Sequence, residues 1–348
     1  MINTLRQDIK FNCDVSDARF WGHFSICGLL MRYRDLYRSE QGLEPWSPIP
    51  RQDITSWIER KEDRWQDLET QGFRSIRIGD SSFDPFDSAG INGALAPLGY
   101  VYGAGYGMYL KPTFFLGQLR SVAEIEGHRV YSSDREPVRD LFSAPAMLQE
   151  RTILLRFDPL KALLWDAFCR TPANSTSPLA DAFRQAGIAP GQAADAAFAA
   201  AMDRMAASYA EVLLWHELSE SRERLADWKD LLAAADDRMT ELFLRALQDL
   251  LADTGDGGPL RRIIERADAG ALAMLAGLLD GFRKALFPEL RDAYRLLVRD
   301  GTWTVIDDVR TQAYGRFRQL RRQVRETFAD GGRAALQQFL REKMRGLA

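Results

Sequence analysis

The chain has 348 residues, of which 46% are hydrophobic and 27% are charged. This length and apolar content suffice for a large core and exclude a globally disordered chain. The formal net charge of -3 shows neither the global basic excess typical of nucleic-acid-binding proteins nor the acidic excess of a solvating tail.

Several features predict a cytoplasmic protein without membrane insertion. Residues 1–12 contain Asp8 and no continuous apolar stretch, so they do not resemble a secretory signal. The longest membrane-like stretches, Ser25–Met31 and Ala271–Leu279, are far shorter than the roughly 20 apolar residues that span a bilayer. Three widely spaced cysteines without a C-x-x-C pair fit a reducing compartment.

Residues 1–70 carry helical patterns. The first predicted helix, with Asp14 or Ser16 as N-cap, extends to about Glu40. Its apolar stripe consists of Phe20, Phe24, Cys27 and Met31. A second helix is predicted between Pro50 and Gly72.

Residues 73–135 are richer in glycine, aromatic and β-branched residues, and they lose the helical period. We predict a small antiparallel β-subdomain here, with a hairpin turn at Glu126-Gly127. Helical patterns return from about residue 140, with breaks expected near 219–227 or 235–237. The predicted fold is therefore mainly α with a small β-subdomain (α+β), divided into domains at 1–135 and 136–348.

The strongest functional pattern is His216-Glu217-Leu218-Ser219-Glu220. On a helix, His216 and Glu220 lie one turn apart on the same face and can share one metal ion. Glu217 can act as a base or third ligand, as the glutamate of H-E-x-x-H metalloproteases does. Here Glu220 replaces the second histidine of that motif, which weakens the analogy. Zinc, iron or manganese suits such ligands.

His216 continues an apolar seam. The upstream positions step by three or four residues: Phe198, Met202, Met205, Tyr209 and Val212. A histidine on a buried face needs a polar partner, and Glu220 is the nearest in register. The alternative interpretation is a structural His–Glu pair. It is the favoured one, because short motifs often match by chance. Further ligands are candidates by residue type only, namely His128, Glu124, Glu126 and Glu150.

A second candidate group comprises Cys13, Asp14, Asp17, His23 and Cys27. His23 and Cys27 are four residues apart, and Cys13 precedes them, so a Cys-His-Cys metal site is one hypothesis. The spacing matches no standard zinc motif. Cys27 also lies on the apolar stripe, where a cysteine is simply a small hydrophobic residue.

The glycine-rich segment Leu98–Gly117 alternates glycine with tyrosine. It contains G-x-G-x-G and neither G-x-G-x-x-G nor a Walker A sequence, so a phosphate cradle is poorly supported. Alternating glycine and tyrosine can form a wall where a ligand contacts backbone and rings. The same pattern also fits strands that pack closely on a helix.

The C-terminal segment from Arg310 is strongly basic. The segment contains ten basic residues, nine arginines and Lys343, and three acidic residues, Glu326, Asp330 and Glu342. Its net charge is therefore +7. Its apolar stripe is Phe317, Leu320, Val324 and Phe328. A basic amphipathic helix can bind nucleic acid or an anionic membrane surface. The favoured interpretation is a docked helix with a solvated basic face, because runs of charge usually lie on the protein surface.

The segment Phe11–Trp46, FNCDVSDARFWGHFSICGLLMRYRDLYRSEQGLEPW, resembles an uncharacterised bacterial protein family, a domain of unknown function. The resemblance extends over much of the chain. It implies a bacterial cytoplasmic origin and assigns no activity to any residue.

These patterns leave two main functional hypotheses open, and they favour less a third, a nucleic-acid-associated protein that uses the arginine-rich C-terminal helix. The first is a metal-dependent enzyme of the hydrolase or oxidase class, with His216 and Glu220 as ligands and Glu217 as the catalytic base. The second is a non-catalytic binding or scaffold protein that uses the glycine–tyrosine segment or the basic C-terminal helix. The sequence does not decide whether the chain is an enzyme.

Overall fold

The computed structural model describes residues 2–189, 191–223, 228–235 and 237–347. The chain forms two compact units, Met1–Asp166 and Ala167–Ala348. The division falls within a helix, α5 (Phe157–Cys169).

The N-terminal unit combines helices with two sheets. Its helices before α5 are α1 (Ile2–Phe20), α2 (Ile26–Glu40), α3 (Arg51–Leu68) and α4 (Ser88–Leu95). Its strands are β1 (Ile76–Ile78), β2 (Ser81–Phe83), β3 (Tyr100–Tyr106), β4 (Pro112–Ile125), β5 (His128–Ser133), β6 (Val138–Arg139), β7 (Ala146–Gln149) and β8 (Thr152–Arg156). Short 3-10 turns are formed by Trp21–His23, Ala96–Leu98 and Met108–Leu110.

The larger sheet has the strand order β3-β4-β5-β8-β7, and β6 pairs with β4. All pairs in it are antiparallel except β5 with β8, which is parallel. A register shift in β4 between Leu119 and Ser121 bends the long strand between its two sets of partners. The turn from β4 to β5 has positive φ at Glu126 (50°) and Gly127 (74°), as a two-residue hairpin loop requires.

Helix α1 lies at the centre of the N-terminal unit. One side of α1 packs with the sheet in a core that includes Leu5, Ile9, Cys13, Tyr102, Phe114 and Leu116. The other side contributes to a core with Val15, Ala18, Tyr33, Leu36, Trp57 and Trp65. Because apolar partners cover both sides of the helix, the polar residues of α1 are buried as well.

The C-terminal unit contains only helices within its described residues. After the end of α5 they are α6 (Pro178–Gln185), α7 (Ala196–Glu223), α8 (Trp228–Ala233), α9 (Arg238–Thr254), α10 (Pro259–Arg266), α11 (Ala269–Leu278), α12 (Gly281–Leu286), α13 (Glu289–Asp300) and α14 (Thr304–Arg345). Helix α9 is central and packs against α7, α10, α12 and α14. None of the described helices has both the length and the apolar content needed to cross a bilayer.

The predicted fold class is confirmed: the protein is mainly helical with a smaller β component. The sheet extends beyond the predicted range, because β6, β7 and β8 continue it to Arg156, and it includes one parallel pair. Strand pairing joins residues far apart in sequence, so local patterns do not show which segments pair. The predicted domain boundary after residue 135 falls between β5 and β6, inside the N-terminal unit.

The first predicted helix is two helices. Helix α1 ends at Phe20, and Ser25 caps α2 by accepting a hydrogen bond from the Gly28 backbone amide. Asp14 and Ser16 lie inside α1, so they are not its N-caps. The expected apolar stripe is also wrong, because Cys27 is exposed and Met31 is 44% exposed.

Candidate functional site

The seam predicted on α7 is confirmed. Phe198, Met202, Met205, Tyr209 and Val212 are all buried on this helix. The next position of the seam is His216, whose side chain is 13% exposed. The periodicity of the sequence therefore locates the imidazole correctly, at the edge of the core of the C-terminal unit.

His216 makes its hydrogen bond to a residue of α9. Its Nδ1 atom lies 2.8 Å from Oδ1 of Asp253, whose side chain is only 3% exposed. The sequence predicted Glu220 as the partner, and it missed Asp253 because α7 and α9 meet only through tertiary packing. A carboxylate on Nδ1 fixes the orientation of the ring and leaves Nε2 for another ligand.

The electrostatics around His216 favour its positive charge in the metal-free protein. Burial lowers the pKa of the imidazole, but Asp253, through its charge and hydrogen bond, and Asp249 raise it to about 10. Burial also raises the pKa of Asp249, against the effect of the nearby Arg283 guanidinium. The His216–Asp253 contact is therefore a buried ion pair when no metal competes for the ring.

Asp249 and Arg283 lie beside this pair. Asp249 Oδ1 is 4.0 Å from Nε2 of His216, and its Oδ2 is 3.9 Å from Nε of Arg283. The Asp249 side chain is 35% exposed, so this edge of the group is accessible to solvent. Arg283 also reaches Asp280 at 3.4 Å, which places its guanidinium at the open edge.

The three residues predicted as the site come together. His216, Glu217 and Glu220 each offer one ligand atom, and these atoms all lie within 4.8 Å of one another. Glu217 is buried, while His216 and Glu220 are half-buried. One nitrogen and two carboxylate groups form a donor set that suits zinc, iron(II) or manganese.

One further observation fits a water held beside this site. Oδ2 of Asp253 is buried and has no hydrogen-bond partner among the described residues. A buried carboxylate oxygen without a partner loses its hydration, which is unfavourable unless a water or cation satisfies it. The ligand atoms of His216, Glu217 and Glu220 fit a divalent cation in chemistry, burial and spacing.

The second predicted group does not assemble into a metal site in the described structure. Cys13 is buried in the core, and its Sγ donates to the Phe114 carbonyl at 3.2 Å. Cys27 is exposed at the start of α2, and the ring of His23 lies 5.6 Å from that of Phe20. Of the further ligands predicted by type, His128 and Glu150 belong to the N-terminal unit.

A buried charge cluster surrounds Cys13 instead, and the sequence did not predict it. Lys111 Nζ contacts Asp17 and Asp140, each at 3.0 Å, and Ser16 Oγ at 2.9 Å. The Lys111 side chain is 2% exposed. Burial raises the pKa of Asp17 to about 7, with Lys111 opposing the shift and Asp140 adding to it. The cluster links α1 to the sheet and offers no exposed reactive atom.

The glycine–tyrosine segment forms β3 and the start of β4, and its glycines allow close packing. A Cβ atom at Gly103 would lie 2.1 Å from the Phe115 ring, and one at Gly105 would lie 2.3 Å from the Gln149 amide. The hydroxyl of buried Tyr102 donates to the Pro85 carbonyl at 2.7 Å. Neighbouring side chains thus fill the space beside these two glycines, as expected of strands packed closely in a core.

Comparison with known proteins finds two family models that together cover most of the chain. The N-terminal domain model of a family of unknown function (DUF6866) matches residues 4–156, and the C-terminal domain model of the same family matches residues 161–345. No curated protein and no solved structure matches the chain. The His216 group lies in the part matched by the C-terminal model.

Proposed function

The chain belongs to the DUF6866 family of unknown function, and we propose from its C-terminal unit that it is a metal-dependent enzyme of the hydrolase or oxidase class. The observation that carries the proposal is the convergence of His216, Glu217 and Glu220 within 4.8 Å of one another. The hydrogen bond that Nδ1 of His216 donates to Asp253 supports it, because histidine ligands of metals are commonly held in this way.

Each residue has a distinct role in this proposal. His216 and Glu220 are the ligands, and Asp253 orients the imidazole. A bound divalent ion supplies a Lewis acid that lowers the pKa of a coordinated water and polarises a substrate oxygen. Glu217 is buried, and its carboxylate is the group that accepts a proton from the nucleophile or completes the ligand set. The exposed edge at Asp249 is where a substrate enters.

The test is the metal content of untagged protein purified without chelator, measured by mass spectrometry beside the variant His216→Ala. The variant His128→Ala is the matched control, because it removes a histidine from a hairpin of the N-terminal unit. We expect about one equivalent of zinc, iron or manganese in the parent and the control, and none in His216→Ala. No metal in the parent after reconstitution with each of these ions, or equal loss in both variants, refutes the proposal.

If metal is present, the reaction class is tested next. Metal-dependent cleavage of chromogenic ester and phosphoester substrates supports a hydrolase, and Fe(II)-dependent dioxygen uptake supports an oxidase. The variant Glu217→Gln separates the two roles of Glu217. Retained metal with lost turnover identifies a base, and lost metal identifies a ligand.

A second candidate function has one specific observation in its favour. His216 and Asp253 form an ion pair, with Nδ1 at 2.8 Å from Oδ1, and the Arg283 guanidinium lies near the Asp249 carboxylate. Such an ion-pair group stabilises the packing of α7 on α9 without a metal. On this alternative the chain is a non-catalytic binding or scaffold protein. Loss of thermal stability in His216→Ala, together with no metal in the parent, supports it.

A further inference from the structure

Helix α14 carries an exposed face of arginines that the metal site does not use. The segment from Thr311 to Arg325 contains five arginines and no acidic residue. A hollow of about 560 Å³ lies over this segment, and the residues that line it are Gly315, Arg318, Gln319, Arg321, Arg322 and Arg325. All of these residues except the half-buried Arg321 are exposed. We call this surface the arginine face.

The arginine face is a regular array. Residues 315, 318, 322 and 325 follow one another at intervals of three or four, and Gln319 lies beside Arg318, so these residues form one stripe along the helix. At a rise of 1.5 Å per residue, the stripe from Arg318 to Arg325 is about 10 Å long. Phosphates on one nucleic-acid strand advance about 3.4 Å each along a duplex axis, so the stripe spans about three phosphates.

The arginines of this face differ in how they are held. Arg321 binds the end of α7, with Nη1 at 2.8 Å from the Glu223 carboxylate and 3.0 Å from the Glu223 carbonyl. Arg318 lies over the ring of Tyr314 at 5.7 Å and has no acidic partner among the described residues. Arg322 reaches Glu326 only at 3.9 Å, with both side chains about two-thirds exposed. The guanidinium groups of Arg318 and Arg322 therefore lie beside the anchored Arg321, and acidic side chains neutralise them only weakly.

Within its described residues, α14 exposes no large apolar side chain that could anchor it in a membrane. Of the predicted apolar stripe of α14, Phe317 and Val324 are at most 1% exposed, and Leu320 and Phe328 are half-buried. No large hydrophobic residue of α14 is among the exposed ones in the described part of the chain. Helices that lie in a membrane surface insert an apolar face between lipids, and here that face is largely covered by the core.

We infer that the arginine face binds the phosphate backbone of a nucleic acid without reading its sequence. Guanidinium groups match phosphate oxygens with two hydrogen bonds each, and the face consists of arginine without lysine. Among the described residues that line the hollow, Gln319 is the one polar side chain besides the arginines, and none is aromatic and able to stack on a base. The ligand is therefore recognised by charge and by phosphate geometry.

The test measures binding of the full chain to labelled 20-nucleotide DNA, single-stranded and duplex, by fluorescence anisotropy between about 50 and 200 mM salt. Three phosphate contacts predict a slope of about -2 in log affinity against log salt for the single strand. In Arg318→Ala/Arg322→Ala, two lost contacts reduce the magnitude of the slope by about 1.4 and weaken binding about tenfold or more at low salt. Two unrelated sequences are expected to bind equally.

The matched control is Arg295→Ala/Arg299→Ala on α13, which changes net charge equally at exposed arginines paired with Asp292 and Asp300. We expect the control to bind as the parent does, and both double variants to retain the parent's melting temperature. No binding at the lowest salt, or equal weakening in both double variants, overturns the inference. Binding to phosphatidylserine vesicles without binding to DNA also overturns it and assigns the face to a membrane surface.

Discussion

The sharpest prediction concerns Asp253, which is proposed to orient the metal ligand His216 without binding the metal. Its carboxylate is 3% exposed and lies 2.8 Å from Nδ1. A hydrogen bond to a charged group contributes about 1.5–3 kcal/mol. Because about 1.4 kcal/mol corresponds to a tenfold change in affinity, Asp253→Ala is expected to weaken zinc binding about 10- to 100-fold. This range agrees with the cost of substituting residues that support metal ligands.

Two further variants sharpen the test. Asp253→Asn keeps a carbonyl oxygen that can accept from Nδ1 and loses only the charge, so its affinity is expected between those of the parent and Asp253→Ala. His216→Ala is expected to lose binding altogether. Asp292→Ala on α13 is the control, because its side chain is 70% exposed and pairs only with Arg295 among the described residues.

The assay is competition for zinc with a chromophoric chelator at one pH, with circular dichroism to verify that each variant is folded. Parent-like affinity in Asp253→Ala would show that Asp253 does not hold the ring. Complete loss in Asp253→Ala, equal to that in His216→Ala, would show that Asp253 is itself a ligand. Either result contradicts the positioning role.

Three further predictions concern the N-terminal unit and are measured by urea unfolding. Lys111→Met leaves two buried carboxylates without their cation and is expected to lower the free energy of unfolding by about 3–5 kcal/mol; a loss below about 1 kcal/mol contradicts this. Burial raises the pKa of Asp17 from 3.8 to about 7, so its protonated form contributes stability that is fully present below 3.8 and is lost as the pH rises through 7. From pH 5 to 7, unfolding free energy should therefore fall by about 1 kcal/mol per pH unit in the parent relative to Asp17→Asn, and parallel pH profiles would refute the assignment. Gly103→Ala places a Cβ atom 2.1 Å from the Phe115 ring and is expected to cost about 1–3 kcal/mol, whereas Gly72→Ala meets no atom within 4 Å and serves as the control.

Local patterns in the sequence determined much of the fold and part of the candidate site. The seam on α7 follows from a 3.6-residue period, so the positions from Phe198 to His216 could be read directly. The hairpin at Glu126-Gly127 follows from turn chemistry within a few residues. The proximity of His216 and Glu220 follows from helix geometry alone. Each of these features depends on residues that are close in sequence.

The features that only the tertiary structure decided depend on residues far apart in the chain. Asp253 comes from another helix and reaches His216 only because α9 packs against α7. The polar residues of α1 indicated a helix start, yet they are buried because Lys111 and other distant groups neutralise them. The parallel pairing of β5 with β8 is equally non-local. Hydrophobic periodicity shows which face of an element is buried, but the partner on that face is set by how the whole chain packs.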